Sequence, residues 1–204
     1  MQYLQDVSHY HSPLGDMLLA ADEIGLTGLW FEGQKYFARG LSGLDNLSNP
    51  RNSSAQCASA QTASPKYASI EGTSKQTLPI FETAKRWLDV YFSGREPDFS
   101  VPIHLIGTDF QKEVWQILCT IPYGQAMTYG EIANKLAQKR QLAHMSAQAV
   151  GGAVGRNPLS IFVPCHRVLG ANGSLTGYAG GIDKKRTLLR LEGIELNTTP
   201  TVLP

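Results

Sequence analysis

Apolar and polar positions along the 204-residue chain fall into three regimes. In residues 1–41 short apolar runs alternate with turn residues. Residues 7–11, 17–21 and 26–31 read as strands, with Pro13-Leu-Gly15 and Glu23-Ile-Gly25 between them, which is hairpin or meander spacing. Residues 42–77 are rich in Ser, Ala, Gln, Asn, Thr and Gly and carry scattered charges. Such a stretch buries too little apolar surface to offset its ordering entropy, so it reads as a low-complexity, mobile insertion. Periodicity returns at Leu78: Pro79, Phe81, Ala84, Trp87, Leu88 and Tyr91 share helical spacing, and Gly94 closes the pattern. Residues 97–102 read as an extended linker. The pattern predicts a first domain over 1–100, a second over 101–196 and a tail over 197–204.

The second half reads as mainly helical. Thr108 is placed to cap a helix whose apolar face is Phe110, Val114, Trp115, Ile117 and Leu118, stopped by Pro122 and Gly124. Thr128-Tyr-Gly-Glu131 is a capping-box pattern opening a second helix with Ile132, Ala133 and Leu136 on one face. A third helix starts near Ser146, and the pair has helix-turn-helix organisation. Its sequence, Ser146-Ala-Gln-Ala-Val-Gly-Gly-Ala-Val-Gly155, has no charge and paired glycines that cost up to about 1 kcal/mol each in a helix. Either tight helix packing or a narrow groove explains them. Residues 161–163 form a short apolar strand or extended run before Pro164, and Asp183 caps a last helix over 184–192 whose Leu188, Leu189 and Leu191 face inward before Gly193 ends it.

Composition narrows the class. The chain is 42% hydrophobic and 17% charged, ordinary for a globular protein. It has no apolar stretch of about 18 residues and no secretory start, so the expectation is a cytoplasmic protein without a membrane partner. Residues 1–100 carry 8 Lys/Arg against 11 Asp/Glu, and residues 101–204 carry 10 against 6. The basic second half suits a polyanion, although chance explains so small a bias almost as well.

Cys57, Cys119 and Cys165 are far apart, without a CxxC pair or a Cys/His cluster at zinc spacing, so neither a disulfide framework nor a metal site is expected. Cys57 lies in the low-complexity stretch, and Cys119 reads as a small core residue within a helix, beside Leu118. Cys165 differs. It follows an apolar run and a proline, and His166 and Arg167 follow it; two basic neighbours favour the nucleophilic thiolate.

Ile121-Pro-Tyr-Gly124, Thr128-Tyr-Gly-Glu131, Ala149-Val-Gly-Gly152, Arg156-Asn-Pro158, Pro164-Cys-His-Arg-Val168, Gly177-Tyr-Ala-Gly-Gly181 and Leu188-Leu-Arg-Leu-Glu-Gly193 resemble, in order, the motifs of the O6-alkylguanine-DNA alkyltransferases. Ser12-Pro-Leu-Gly15 and Gly28-Leu-Trp-Phe31 resemble their N-terminal domain. The resemblance implies an α/β N-terminal domain with a ribonuclease-H-like sheet and a mainly helical C-terminal domain with a helix-turn-helix. It implies single-turnover repair without a cofactor: the alkyl group moves from guanine O6 in DNA to Cys165, with O4-alkylthymine as a further candidate substrate. The partner implied is double-stranded DNA bearing alkylated bases, bound through its minor groove by a monomer.

Carried over residue by residue, the resemblance makes His166 the proton acceptor through a water, Glu192 its orienting partner and Asn157 the holder of the turn before Cys165. The target base leaves the stack. Tyr129 polarises its guanine ring or contacts the flanking phosphate, and the Ala179 N–H donates to O6. The Cys165 and Val168 carbonyls accept from the amino group, and Tyr178 and Gly180 belong to the same binding set. Ala149, Gly152 and Arg156 face DNA. Gln148 stands where many members have an arginine that fills the vacated stack, and it brings neither charge nor planar guanidinium. Two rivals stay open. One is a DNA-binding lesion sensor without transfer, which the presence of Cys165 disfavours. The other is a thiol hydrolase using Cys165 and His166, which adjacent side chains on an extended run disfavour.

Overall fold

The computed structural model describes residues 5–41 and 78–195. The low-complexity insertion at 42–77, with Cys57, and the tail at 197–204 lie outside the described residues. The three expected strands are present. β1 (Asp6–Ser12), β2 (Gly15–Ala21) and β3 (Leu26–Phe31) form an antiparallel sheet in the order β1-β2-β3, with a register shift at Ala20 and Ala21. Alternation along β2 and β3 splits the side chains between two cores. Met17, Leu19, Leu29 and Phe31 face the main core, while Leu18, Ala20 and Trp30 pack with Phe37, Ala38 and Leu41 on the other side.

The outer edge of β3 is stitched to the second half. Leu26 donates to Pro102 O at 2.9 Å and accepts from His104 N at 2.7 Å; Leu29 donates to Pro158 O at 2.8 Å and accepts from Ser160 N at 2.9 Å. The chain comes so close that a Cβ at Gly25 would lie 2.7 Å from Pro102 O, so only glycine fits there. An exposed edge is thereby covered, and the segment leading to Cys165 is fixed against the sheet.

α1 (Leu78–Phe92) buries Phe81, Ala84, Leu88 and Tyr91, the helical stripe read from sequence, while Pro79 is exposed in its first turn. Phe81 and Leu88 each contribute about 1.5–3 kcal/mol by burial, and Ala84 less. α2 (Asp109–Leu118) opens on Thr108 with a capping box to Gln111, and β4 (Met127–Thr128) leads into α3 (Tyr129–Lys139), capped as expected by Thr128 and Glu131. α4 (Ala147–Val154) has Ser146 as its cap; its Val150, Ala153 and Val154 are buried, and Trp115 Nε1 donates to Ala153 O at 3.0 Å. β5 (Val168–Leu169) pairs in parallel with β4.

Two local expectations fail. Asp183 does not cap the last helix. α5 (Ile182–Leu191) starts at Gly181, and Asp183 sits in its first turn paired with Arg186 at 2.9 Å. Its other end is as read: Gly193 at φ 74 donates to Arg190 O and Ile194 to Leu189 O, a paired closure that glycine permits. Residues 161–163 are not a strand. Ile161 is held at φ 71, a rare position for a β-branched residue, inside a tight turn where Val163 N bonds Leu159 O. Prolines at 158 and 164 bracket the turn, and Asn157 supplies its internal bonds.

Candidate active site

The site is built on that turn. Asn157, 4% exposed, donates through Nδ2 to Leu159 O, Val163 O and Cys165 Sγ at 3.2, 2.8 and 3.1 Å, and its Oδ1 accepts from Leu159 N at 3.0 Å. It thus holds the turn and touches the sulfur. Cys165 opens a 3-10 turn with His166 and Arg167, and all three are buried.

The thiol is not activated as the sequence suggests. Burial pushes the Cys165 thiol up, and the Asn157 bond, the Lys185 charge and two backbone N–H groups oppose this only in part. Arg167 turns away: its Nε and Nη2 donate to Glu192 Oε2 and Oε1 at 2.7 and 3.1 Å, and Nη1 to Ile121 O at 2.7 Å. At neutral pH the thiol keeps its proton and needs a base.

His166 has the properties of one. It is fully buried, and its Nε2 lies 2.7 Å from Glu192 Oε1. Burial holds the imidazole below its usual range despite the Glu192 charge, so the ring is neutral. Burial would raise Glu192, but the hydrogen bonds from His166 and Arg167 and the Arg167 charge outweigh it and hold the carboxyl well below its usual range. An ionised carboxylate only accepts, so the His166 proton belongs on Nε2 and Nδ1 keeps its lone pair. That Nδ1 is buried without a partner. Tyr91, from α1, also donates to Glu192 Oε1 at 2.7 Å, and Gly124 N to Oε2 at 3.3 Å. Every group around this carboxylate is a donor.

Two functional groups escaped the sequence reading. Tyr91 was assigned only to the core of α1. Lys185 is 0% exposed and donates to Val168 O, Thr176 O and Gly177 O at 2.5, 2.7 and 3.3 Å, tying β5 to the glycine-rich loop. Its position three residues before Leu188 and four before Leu189 on the helix places it on the buried stripe, a signal present in the sequence. Cys119, expected in the core, is exposed at the end of α2.

The other candidates divide between a depression and its rim. Tyr129, Gly152, Arg156, Tyr178 and Ala179 line a depression of about 440 Å³, together with Gly151 and Gly155. A Cβ at Gly151 would meet the Tyr129 ring at 3.7 Å, and one at Gly152 the Arg156 guanidinium at 3.3 Å. The α4 glycines therefore face this depression and no closely packed backbone. Gly180 is required for another reason: a Cβ would lie 2.8 Å from the Tyr178 ring and 3.2 Å from Phe31. Burial raises the phenols of Tyr129 and Tyr178, and a Cys165 thiolate would raise both further. Gln148 and Ala149 stand exposed on the first turn of α4 and are not part of the depression's lining. The Cys165 and Val168 carbonyls each already accept one bond, from Val168 N and Lys185 Nζ. One lone pair is left on each. No group of three metal-ligating side chains occurs among the described residues.

A buried cysteine beside a neutral histidine, close to a helix whose glycines face an open depression, makes this a candidate thiol-reactive site. Comparison with known proteins specifies the family. Residues 109–194 match the 6-O-methylguanine DNA methyltransferase, DNA binding domain, and residues 7–105 match the ribonuclease-like domain of the same methyltransferase. The chain is 39% identical over 186 residues to the methylated-DNA–protein-cysteine methyltransferase of Methanosarcina acetivorans, covering 90% of this chain and 96% of that one. It is 53% identical over 112 residues to the Mycobacterium bovis protein of that name, 55% of this chain and 65% of that one. Among solved structures, Mycobacterium tuberculosis OGT in complex with DNA aligns at 36% identity over 92% of both chains, with a TM-score of 0.64. The chain belongs to the methylated-DNA–protein-cysteine methyltransferase family, with the two-part fold that the sequence implied.

Proposed function

We infer that this chain repairs alkylated DNA by moving the alkyl group from O6 of a flipped guanine to Cys165, once per molecule. The observation that carries the reading is the buried Cys165 thiol in one turn with a neutral His166 whose Nδ1 is its only free lone pair. The thiol proton passes through a water to His166 Nδ1. The sulfur then attacks the alkyl carbon in line, the S–C bond forms as the C–O6 bond breaks, and O6 keeps the electron pair. The imidazolium that results is stabilised by Glu192. Asn157, already on the sulfur, fixes its direction.

The Tyr129 phenol, which its raised pKa keeps protonated, donates a hydrogen bond to the departing guanine anion, the Ala179 N–H stabilises the charge on O6, and the proton held by His166 returns through water to the guanine. The remaining lone pairs of the Cys165 and Val168 carbonyls receive the exocyclic amino group, and Tyr178 and Gly180 shape the pocket. The α4 face enters the minor groove, where contact with little sequence preference suits a lesion found anywhere. Exposed Gln148 enters the vacated stack, while Ala149, Gly152 and Arg156 meet the backbone. The protein acts as a monomer in the cytoplasm; among the described residues no helix is long and apolar enough to cross a membrane.

A Cys165→Ala variant tests the reading against a lesion sensor or a hydrolase. It is expected to bind an O6-methylguanine duplex with nearly wild-type affinity and to leave every lesion in place. Residual removal of the methyl group by that variant would sink the proposal.

A further inference from the structure

We propose that residues 32–41 of the N-terminal half form a second phosphate-binding site, in which Lys35 and Arg39 grip the DNA backbone beside the flipped nucleotide. This rests on the reading of the α4 face as the DNA surface. The family motifs end at Phe31 on this side, so the resemblance assigns the segment nothing.

The segment is rigid where it meets the protein. Phe37, Ala38 and Leu41 are buried against Trp30. Gln34 Oε1 accepts from Phe31 N at 2.9 Å and from Ser160 Oγ at 3.3 Å, and Lys35 N donates to Ala179 O at 3.0 Å. Tyr36 at φ 62 and Ala38 at φ 52 are non-glycine residues in the left-handed region, a strain that persists only where the surroundings impose it. The outcome is a fixed display of the remaining side chains on the solvent side.

Those side chains are cationic. Lys35 Nζ lies 5.0 Å from the centre of the Tyr36 ring, the Arg39 guanidinium 5.6 Å and that of Arg156 5.8 Å. All three are exposed, and among the described residues none is in an ion pair. One aromatic face attracts each cation but cancels no charge. Three positive groups massed on one ring without a carboxylate are poised for an anion.

Its source follows from position. Tyr36 and Arg156 form a shared wall between the depression facing α4 and a second one, of about 210 Å³, that Arg39 lines. A backbone lying on the α4 glycines continues onto this wall, so the anion is a DNA phosphodiester and not a separate small ligand. The bond from Lys35 N to Ala179 O places the same segment against the loop that receives the base.

The test is equilibrium binding of the full chain to a labelled O6-methylguanine duplex across a salt series. Each phosphate contact adds about 0.9 to the slope of log affinity against log salt. A Lys35→Gln, Arg39→Gln double variant is expected to lose roughly two contacts from the slope and about tenfold or more in affinity at low salt. The charge-preserving Lys35→Arg, Arg39→Lys variant is expected to keep the wild-type slope. A double variant that melts normally and keeps the wild-type slope overturns the proposal, as does an equal loss in the charge-preserving pair. Should the double variant melt early, Arg39→Gln alone must still lower the slope by about one contact. Wild-type protein without salt-dependent binding would instead remove the DNA reading on which this site rests.

Discussion

Replacing Glu192 with glutamine is expected to slow alkyl transfer by about 10²- to 10³-fold, within the range of lost general-base catalysis. The carboxylate receives His166, Tyr91, two nitrogens of Arg167 and the Gly124 N–H. An amide must point its NH₂ at donors, so the His166 tautomer is no longer fixed and Arg167 loses its counter-charge. Breaking a buried pair by removing one charge costs about 3–5 kcal/mol. At 2–4 °C per kcal/mol for a chain of this size, the thermal midpoint should fall by roughly 10 °C. The pH dependence has a definite sign. The Glu192 carboxyl stands well below the unfolded value of about 4.3 in the folded protein. Its stabilisation is therefore complete above that unfolded value and is lost as pH falls through the lower folded value. Melting curves from neutral to acid pH should show the two proteins converging below about pH 4. Full-rate transfer by the variant would remove Glu192 from the mechanism.

The second large effect is expected at Lys185. Methionine fills much of the same volume but donates nothing to Val168, Thr176 and Gly177, whose carbonyls all accept from the ammonium. Val168 is fully buried and has no access to water, whereas Thr176 and Gly177 are exposed. A loss of about 2–4 kcal/mol follows, since an abandoned buried acceptor costs about 1–3 kcal/mol and the exposed pair less. Burial lowers the Lys185 ammonium to about 8, and the Cys165 charge acts against that lowering, so cation and thiolate favour one another. Transfer should slow at least about tenfold, because one substitution removes the cation and frees the loop carrying Tyr178 and Ala179. Urea denaturation and single-turnover repair measure the two parts. Arginine is not expected to rescue either, since its broad fork does not fit a site closed around a point charge.

How much of this the sequence disclosed depends on the distance over which each feature is decided. Strands at residues 7–11, 17–21 and 26–31 and the caps at Thr108, Thr128 and Ser146 are set by nearest neighbours, and each was legible. Residues 161–163 were misread because three apolar residues favour a strand locally, whereas the Asn157 side chain and two prolines impose a turn. Cys165, His166, Asn157 and Glu192 were legible through their motifs, and the structure brings His166 to Glu192 and Asn157 to the sulfur. The source of thiol activation was not legible. Adjacency suggested Arg167, but a buried carboxylate 25 residues away claims that guanidinium. The cation near the sulfur is Lys185, whose burial reads from helix periodicity but whose partners do not. Tyr91 was hidden for the same reason: a helix stripe shows that a residue is inside, not what its hydroxyl meets.

The central claim is that Cys165 itself takes the alkyl group, and mass spectrometry of the protein after repair tests it most directly. After incubation with an equimolar O6-methylguanine duplex, the peptide containing Cys165 should gain about 14 Da, the mass of one methylene, in step with each lesion removed. The peptide containing Cys119 should gain nothing, since partial desolvation raises this surface thiol and, among the described residues, no histidine bonds to it. Repaired DNA beside an unmodified Cys165 peptide, or the added mass on Cys119 instead, would contradict the account.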